Sequence, residues 1–209
     1  MRMRKLTVAE FVTLDGVIQA PGGPDEDPGG GFRFGGWIVP YHDEAIDQTI
    51  QDLYAEPFEL LLGRRTYDIW AAYWPKMKAG NPIGDRFNRV TKHVATHRPG
   101  TLDWENSRAL EGDLADAVSN LKHQSGADLL THGSGNMVRQ LFAAGLADEL
   151  LLMIYPVVVG RGKRLFGDNA LASAFTFVNS TNTDSGVLIT RYKRGGDVPT
   201  GSFKSIDSE

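Results

Sequence analysis

Three short segments of the sequence combine glycine with basic and hydroxyl-bearing residues in a way that suits phosphate binding. They are Gly63-Arg64-Arg65-Thr66, Thr96-His97-Arg98 with the Pro99-Gly100 that follows, and Gly133-Ser134-Gly135-Asn136. Glycine lets a phosphate approach the backbone, and arginine offers a forked donor that matches phosphate oxygens. A helix that begins at such a segment adds unpaired N–H groups and a partial positive charge. Two such helix starts and an arginine-bearing loop predict a site for a ligand with several phosphates.

Each segment also has a purely structural interpretation. A Gly-x-Gly sequence is often only a tight turn, and Arg64 with Arg65 is typical of a solvated helix start. The chain lacks a complete Gly-x-Gly-x-x-Gly fingerprint and a Walker motif, so neither standard nucleotide-binding fold is indicated. Ser134 does not lie in a Gly-x-Ser-x-Gly elbow and no histidine follows His132, which argues against an α/β-hydrolase.

The segments that carry these residues alternate between predicted strands and predicted helices. Continuous apolar runs predict buried strands, and apolar residues spaced three and four apart predict helices. The predicted strands are 6–14, 58–62, 91–96, 127–131 and 149–159, with a terminal hairpin of 175–180 and 187–192. The predicted helices are 43–54, 64–74, 83–90, one after an Asp113 N-cap, and one opened by Gly133-Ser134-Gly135. This order indicates an α/β protein with a mixed, mostly parallel sheet and an antiparallel C-terminal hairpin.

The stretch from 20 to 40 is dense in glycine and proline, yet it carries Phe32, Phe34 and Trp37. A loop of this length without regular structure is usually functional, and a disordered linker seldom contains aromatic residues. We expect a lid or rim over a substrate site, with Trp37 among the substrate-binding residues. An element of a subunit interface is the alternative that the sequence leaves open.

The composition of the 209-residue chain argues against several classes of protein. With 26 acidic and 22 basic residues, a net charge of -4 and no basic stripe, the chain is a poor candidate for nucleic-acid binding. The absence of cysteine rules out disulfides and thiolate sites, and the five histidines show no metal-ligand spacing, so we expect no metal. No run approaches the roughly 20 apolar residues of a membrane span, so we expect a cytoplasmic protein without membrane association. We expect one domain over residues 1–194 and a polar tail over 195–209.

Four groups of residues, taken in order along the chain, resemble the dihydrofolate reductase family. Residues 13–18, Thr-Leu-Asp-Gly-Val-Ile, resemble its first strand, and residues 61–67, Leu-Leu-Gly-Arg-Arg-Thr-Tyr, resemble its Gly-Arg-basic-Thr-aromatic signature. The first group is closer still to the Ser-Leu-Asp-Gly motif of the riboflavin-biosynthesis pyrimidine reductases, the RibD C-terminal domain branch. Residues 145–150, and 156–162 with 165–166, also look like that branch. The resemblance covers roughly residues 4–194 and implies the three-layer α/β/α dihydrofolate-reductase-like fold.

The resemblance implies NADPH as the hydride donor and assigns residues to parts of that cofactor. Arg64 would face the 2'-phosphate, with Arg65 and Thr66 near the phosphates. The remaining expected cofactor-binding residues are Gly63 beside them, Thr96, His97 and Arg98 at the adenosine end, Gly133, Ser134, Gly135 and Asn136 at the pyrophosphate and nicotinamide side, and Thr13, Asp15, Gly16 and Val17 at the border of the nicotinamide. Dihydrofolate reductases commonly have consecutive glycines where this chain has Gly133-Ser134.

The resemblance also implies a small heterocyclic substrate. Aligned without gaps from Gly63, Asp47 takes the place of the pterin-binding carboxylate, and either Asp47 or water would supply a proton. Met153 stands where folate enzymes have a threonine, and its thioether cannot replace the hydroxyl, which disfavours folate as the substrate. The expected substrate-binding residues are Trp37, Asp47, Met153 and Tyr155.

These expectations lead to an NADPH-dependent reductase of a pteridine- or pyrimidine-like heterocycle. One alternative is the riboflavin-pathway reduction of 5-amino-6-(5-phosphoribosylamino)uracil, and another is a non-catalytic nucleotide-binding protein on the same fold. We also expect a homodimer formed through the C-terminal part of the sheet, because an exposed apolar strand at 149–159 would otherwise invite aggregation.

Overall fold

The fold is built on one eight-stranded sheet. The computed structural model describes residues 2–77, 79–167 and 170–203. The strands are β1 (Leu6–Thr13), β2 (Phe58–Gly63), β3 (Lys92–Ala95), β4 (Ser107–Ala109), β5 (Asp128–Thr131), β6 (Glu149–Tyr155), β7 (Ala174–Asn182) and β8 (Leu188–Gly196). The apolar runs become the central strands because both of their faces are covered, which is what a parallel sheet requires.

The strands lie in the order β4-β3-β2-β5-β1-β6-β8-β7. The first six run parallel, with Leu6 opposite Leu129 of β5 and Val8 opposite Leu150 of β6. Strands β8 and β7 continue the sheet in antiparallel pairing at one edge. The predicted fold class, a mostly parallel sheet with an antiparallel C-terminal hairpin, is therefore confirmed.

Five α-helices connect the parallel strands. They are α1 (Glu44–Ala55), α2 (Arg64–Tyr73), α3 (Pro82–Arg89), α4 (Leu114–His123) and α5 (Gly135–Ala143). Asp113 caps α4 as predicted, since its carboxylate accepts hydrogen bonds from the N–H groups of Ala115 and Asp116. No helix in the described ranges is long and apolar enough to cross a bilayer.

The helices pack on both faces of the sheet and make two hydrophobic cores. Successive residues of β2 alternate between them, so Leu60 and Leu62 join Tyr54 of α1 and Phe87 of α3 on one face. Leu61 points to the opposite face, where it packs with residues of α4 and α5. The result is three layers, with α1–α3 on one side and α4–α5 on the other.

The structure corrects several predicted boundaries. Strand β6 was expected to reach residue 159 but ends at Tyr155, because Pro156 has no N–H to donate to the ladder. The short strand Ser107–Ala109 was not predicted, since three residues without an apolar run give no periodic signal. The C-terminal hairpin is longer than expected, and β8 includes the first two residues of the predicted tail, 195 and 196.

Candidate functional site

A large cleft of about 1780 Å³ opens where the parallel strands end. Gly63 at the end of β2, Ala95 at the end of β3, His132 after β5 and Tyr155 at the end of β6 all line it. In open α/β sheets, ligands bind beyond the carboxyl ends of the strands. The topology therefore brings segments that are far apart in the sequence to one site.

Two helix N-termini face this cleft without a side-chain cap. Helix α2 begins after Gly63 and α5 begins after Ser134, and neither has a capping hydrogen bond from a side chain in the part of the chain that the structure describes. The N–H groups of a first helical turn have no acceptor within the helix, so both ends are free to bind an anion. The two helix starts that the sequence predicts as phosphate-binding lie side by side in this cleft.

The turn between β5 and α5 has an unusual backbone conformation. Gly133 and Ser134 both adopt the left-handed region, with φ of 56° and 54°. A side chain at Gly133 would be impossible without rearrangement, because its Cβ would lie 2.9 Å from the Thr66 hydroxyl oxygen. That hydroxyl accepts the Ser134 N–H at 2.9 Å, and the Ser134 hydroxyl accepts the Gly63 N–H at 2.9 Å. These bonds hold the two helix starts together, and a non-glycine residue in this conformation is a strain seen most often at functional sites.

Arg64 acts as an anchor for the loop after β3. Its guanidinium donates to the Thr101 hydroxyl at 2.7 Å and to the Arg98 carbonyl at 3.0 Å, and it also pairs with Asp68 at 2.8 Å. Thr96, His97 and Arg98 line the cleft on this loop, so Arg64 determines where they lie. The side chain of Arg98 is 63% exposed, and among the described residues its guanidinium makes only a long contact with Asp68, which leaves it available to a ligand.

A second ion-pair cluster joins three walls of the cleft. The buried carboxylate of Asp27 pairs with Arg65 of α2 at 2.7 Å and with Lys163. Burial would raise the pKa of Asp27, but Lys163 and Arg65 outweigh that effect and lower it. The loop expected to form a lid, residues 20–40, is thereby tied to α2 and to the loop after β6. Its residues 20–27 and 38–39 line the cleft.

Four expected cofactor-binding residues lie outside the cleft lining and brace a loop instead. The Thr13 hydroxyl donates to Asp15 at 2.6 Å and accepts the Val17 N–H at 2.9 Å. Asp15 accepts the N–H of Gly160 at 2.9 Å, and Gly16 turns the chain with a φ of 81°. The motif at 13–18 thus positions the loop that follows β6.

Of the four expected substrate-binding residues, two line the cleft and two do not. Asp47 and Tyr155 line the cleft, Asp47 at its rim with an exposed carboxylate 3.5 Å from His42. Trp37 is buried beside the cleft, where its indole N–H donates to the Gln19 carbonyl at 2.8 Å and its ring packs edge-on against Tyr155. Met153 is fully buried in the core under α1–α3 and does not line the cleft.

Glu10, which no motif in the sequence singles out, is a buried carboxyl group in strand β1. One of its oxygens accepts the Gly133 N–H at 2.9 Å, and the other has no hydrogen-bond partner among the described residues. Burial raises the pKa of Glu10 well above its usual value, and the bond from Gly133 only partly opposes this. A single glutamate inside the apolar run of β1 was the available signal, because an acid is almost never buried there without a reason.

Aromatic rings form the part of the cleft under α1, α2 and α3. Trp70 stacks on Phe87 with centroids 4.8 Å apart, and Trp74 and Tyr54 meet Phe87 edge-on at 5.0 and 5.1 Å. The Tyr54 hydroxyl is 3.1 Å from Nε2 of His132. Burial lowers the pKa of His132 to about 4, so this ring is uncharged at neutral pH. Within the described ranges, no three His, Asp or Glu side chains come together in a way that could hold a metal ion.

The chain is similar to known proteins over most of its length. The uncharacterized protein YyaP of Bacillus subtilis is 26% identical over 94% of this chain and 98% of its own length. The structure of a candidate riboflavin biosynthesis protein from Shewanella sp. PV-4 matches with a TM-score of 0.63 and 19% identity, over 92% of this chain and 99% of that one.

A larger enzyme has the same fold over part of its length. The deaminase/5-amino-6-(5-phosphoribosylamino)uracil reductase of Thermotoga maritima matches with a TM-score of 0.61 and 13% identity, over 92% of this chain and 57% of that one. The similarity to these two structures shows the fold. The family that the motifs predict is confirmed by the match of the sequence to a family model. Residues 4–189 match the family model of the RibD C-terminal domain, and the chain belongs to that family.

Proposed function

We propose that this protein is an NADPH-dependent reductase of a pteridine- or pyrimidine-like heterocycle. The observation that carries the proposal is the cleft itself, in which two uncapped helix N-termini and an aromatic surface share one space. Membership of the RibD C-terminal domain family and the reductase-like structural relatives support a pyrimidine reductase-like activity. The oxidoreductase class therefore has support from the family, whereas NADPH and the heterocyclic substrate are proposals that follow from the family resemblance.

The residues at one end of the cleft fit a dinucleotide with several phosphates. The first-turn N–H groups of α2 and α5 would hold the pyrophosphate, and the missing side chain of Gly133 lets Thr66 of α2 pack against the turn that leads into α5. Arg98, on the loop anchored by Arg64, is the exposed cation best placed to pair with a 2'-phosphate. When bound, the cofactor supplies the hydride, and the protein binds and orients both reactants.

Two other functions predict different behaviour. The Thermotoga relative, by its description, reduces a phosphoribosylaminouracil, and an enzyme of that kind would require the phosphate on its substrate. A non-catalytic nucleotide-binding protein would bind NADPH tightly but would not oxidise it, whichever acceptor is added.

The test is to measure binding of NADPH and NADH by fluorescence, then NADPH oxidation with a panel of pteridines and pyrimidines. A hydrogen bond to a charged group contributes about 1.5–3 kcal/mol. Arg98→Ala should therefore weaken NADPH binding at least tenfold and leave NADH almost unchanged. Arg108→Ala, an exposed arginine of β4 outside the cleft lining, is the matched control and should change neither affinity. Equal binding of the two cofactors by the wild type would refute the proposal.

A further inference from the structure

The positively charged side chains of the cleft lining are unevenly distributed. The described residues that line it include five cations, namely Arg64, Arg65, Arg98, Arg139 and Lys163. All five come from the start of α2, from α5, or from the loops after β3 and β6. Among the described residues that α1, α3 and the stretch 69–74 contribute to the lining, none is a lysine or arginine.

The helix N-termini show the same division. Those of α2 and α5, at the cationic end, are uncapped. The aromatic end is the part of the cleft lined by α1, α3 and residues 69–74, and both of these helices are capped. The Asp43 carboxylate caps α1 by accepting the Ala45 N–H at 2.9 Å, and Asn81 caps α3 by accepting the Gly84 N–H at 2.8 Å. The first turn of each of these helices also carries an aspartate, Asp47 in α1 and Asp85 in α3. An anion near these two helix starts would meet occupied donors and negative charge.

The polar groups at the aromatic end suit an uncharged ligand. His132 is neutral and bonded to Tyr54, so it offers no positive charge. The indole N–H of Trp74 is buried and has no acceptor among the described residues. An unpaired buried donor is costly, and a carbonyl or ring nitrogen of a bound molecule would give it a partner. Trp70, half-buried in the cleft lining and backed by the stacked ring of Phe87, offers a flat, apolar surface beside it.

From this division of charge, we propose that the aromatic end binds a planar, uncharged, unphosphorylated heteroaromatic ring as the electron acceptor. The inference rests on the proposed function, which assigns the cationic end to the hydride donor. A phosphate group buried at the aromatic end would meet no lysine or arginine among the described lining residues of α1, α3 and 69–74, and burying an unpaired charge is strongly unfavourable. The ring would gain a hydride from the cofactor and a proton from water, so it takes up two electrons and two hydrogens in all and leaves NADP⁺.

A matched pair of ligands tests this directly. Riboflavin and FMN carry the same pteridine-containing ring and differ by one phosphate, and quenching of flavin fluorescence reports binding without turnover. We expect riboflavin to bind at least tenfold more tightly than FMN. Trp74→Phe keeps the ring but removes the N–H and should weaken riboflavin binding severalfold, and Trp70→Leu should weaken it tenfold or more. Phe203→Leu, at a side chain 89% exposed and outside the cleft, is the control that should change nothing.

The possible results separate this inference from the proposed function. FMN binding as tightly as riboflavin would overturn the inference, as would riboflavin binding that both tryptophan variants leave unchanged. Failure of both flavins and of lumazine to bind would also overturn it. Since Trp74→Phe is conservative, the test survives if Trp70→Leu fails to fold. If riboflavin binds as expected but NADPH does not bind, the reductase proposal fails and the ring-binding site stands.

Discussion

Replacement of Glu10 by glutamine tests the assignment of a neutral acid to the centre of the fold. In the wild type, one carboxyl oxygen accepts the Gly133 N–H at 2.9 Å and the other is buried without a partner among the described residues. Glutamine has nearly the same shape, can still accept that bond through its amide oxygen, and never carries a charge. The variant therefore removes the titration of residue 10 and preserves its packing.

The direction in which wild-type stability changes with pH follows from proton linkage. Burial raises the pKa of Glu10 in the folded protein, so the folded state holds this proton to a higher pH than the unfolded chain. The stabilisation by the bound proton is complete below the unfolded-state pKa of about 4.3 and is lost as pH rises towards the folded-state value. Over that interval, wild-type stability should fall by about 1.4 kcal/mol per pH unit relative to Glu10→Gln. For a chain of this size, each kcal/mol corresponds to roughly 2–4 °C in Tm.

The assay is urea denaturation of both proteins at a series of pH values from 4 to 8. We expect the two free energies of unfolding to be similar at the acidic end and to diverge as pH rises, with the variant the more stable. Glu56→Gln, at an exposed carboxylate outside the cleft lining, is the control and should run parallel to wild type. A stability difference between Glu10→Gln and wild type that does not change with pH would refute the reasoning.

Three further predictions concern the parts that surround the site. Arg64→Ala should weaken NADPH binding and also lower the Tm, because Arg64 anchors the loop that carries Arg98. A binding titration and a thermal melt measure the two effects, and an unchanged Tm would contradict the anchoring role. Trp37→Ala should destabilise the fold by about 3–5 kcal/mol in urea denaturation, because the indole is buried, and a stability loss near zero would show that the loop is not packed. Val158→Asp should give monomers or insoluble protein if, as we propose, the protein is a homodimer that covers this 69% exposed side chain; light scattering showing a monomeric wild type at micromolar concentration would contradict the dimer.

The sequence was most informative where a local pattern has one physical meaning. The apolar runs at β1, β2 and β5 could be predicted as strands because an uninterrupted apolar segment must be covered on both faces. Asp113 could be predicted as an N-cap because its short side chain reaches the free N–H groups of the helix that follows. The glycine-rich starts of α2 and α5 could be placed at one edge because parallel strands all end there.

The sequence was least informative where a side chain has its partners far along the chain. Asp27 and Lys163 are 136 positions apart, and nothing local indicates that they pair. Arg64 was expected to face a cofactor phosphate, but a motif does not show where a guanidinium points, and here it bonds to the loop after β3. The motif at 13–18 was assigned to the cofactor on resemblance, whereas its hydroxyl and carboxylate brace the loop after β6.

The division of the cleft into a cationic and an aromatic end originates at the last residues of one strand. Alternation along β5 directs the His132 ring to the face of α1–α3, where it meets Tyr54 and Trp70. The two residues that follow, Gly133 and Ser134, turn left-handed and carry the chain to the start of α5 on the opposite face. A ring bound against His132 and a phosphate bound at α5 would therefore be held by adjacent residues. This backbone turn therefore places the aromatic end of the cleft and the N-terminus of α5 next to each other.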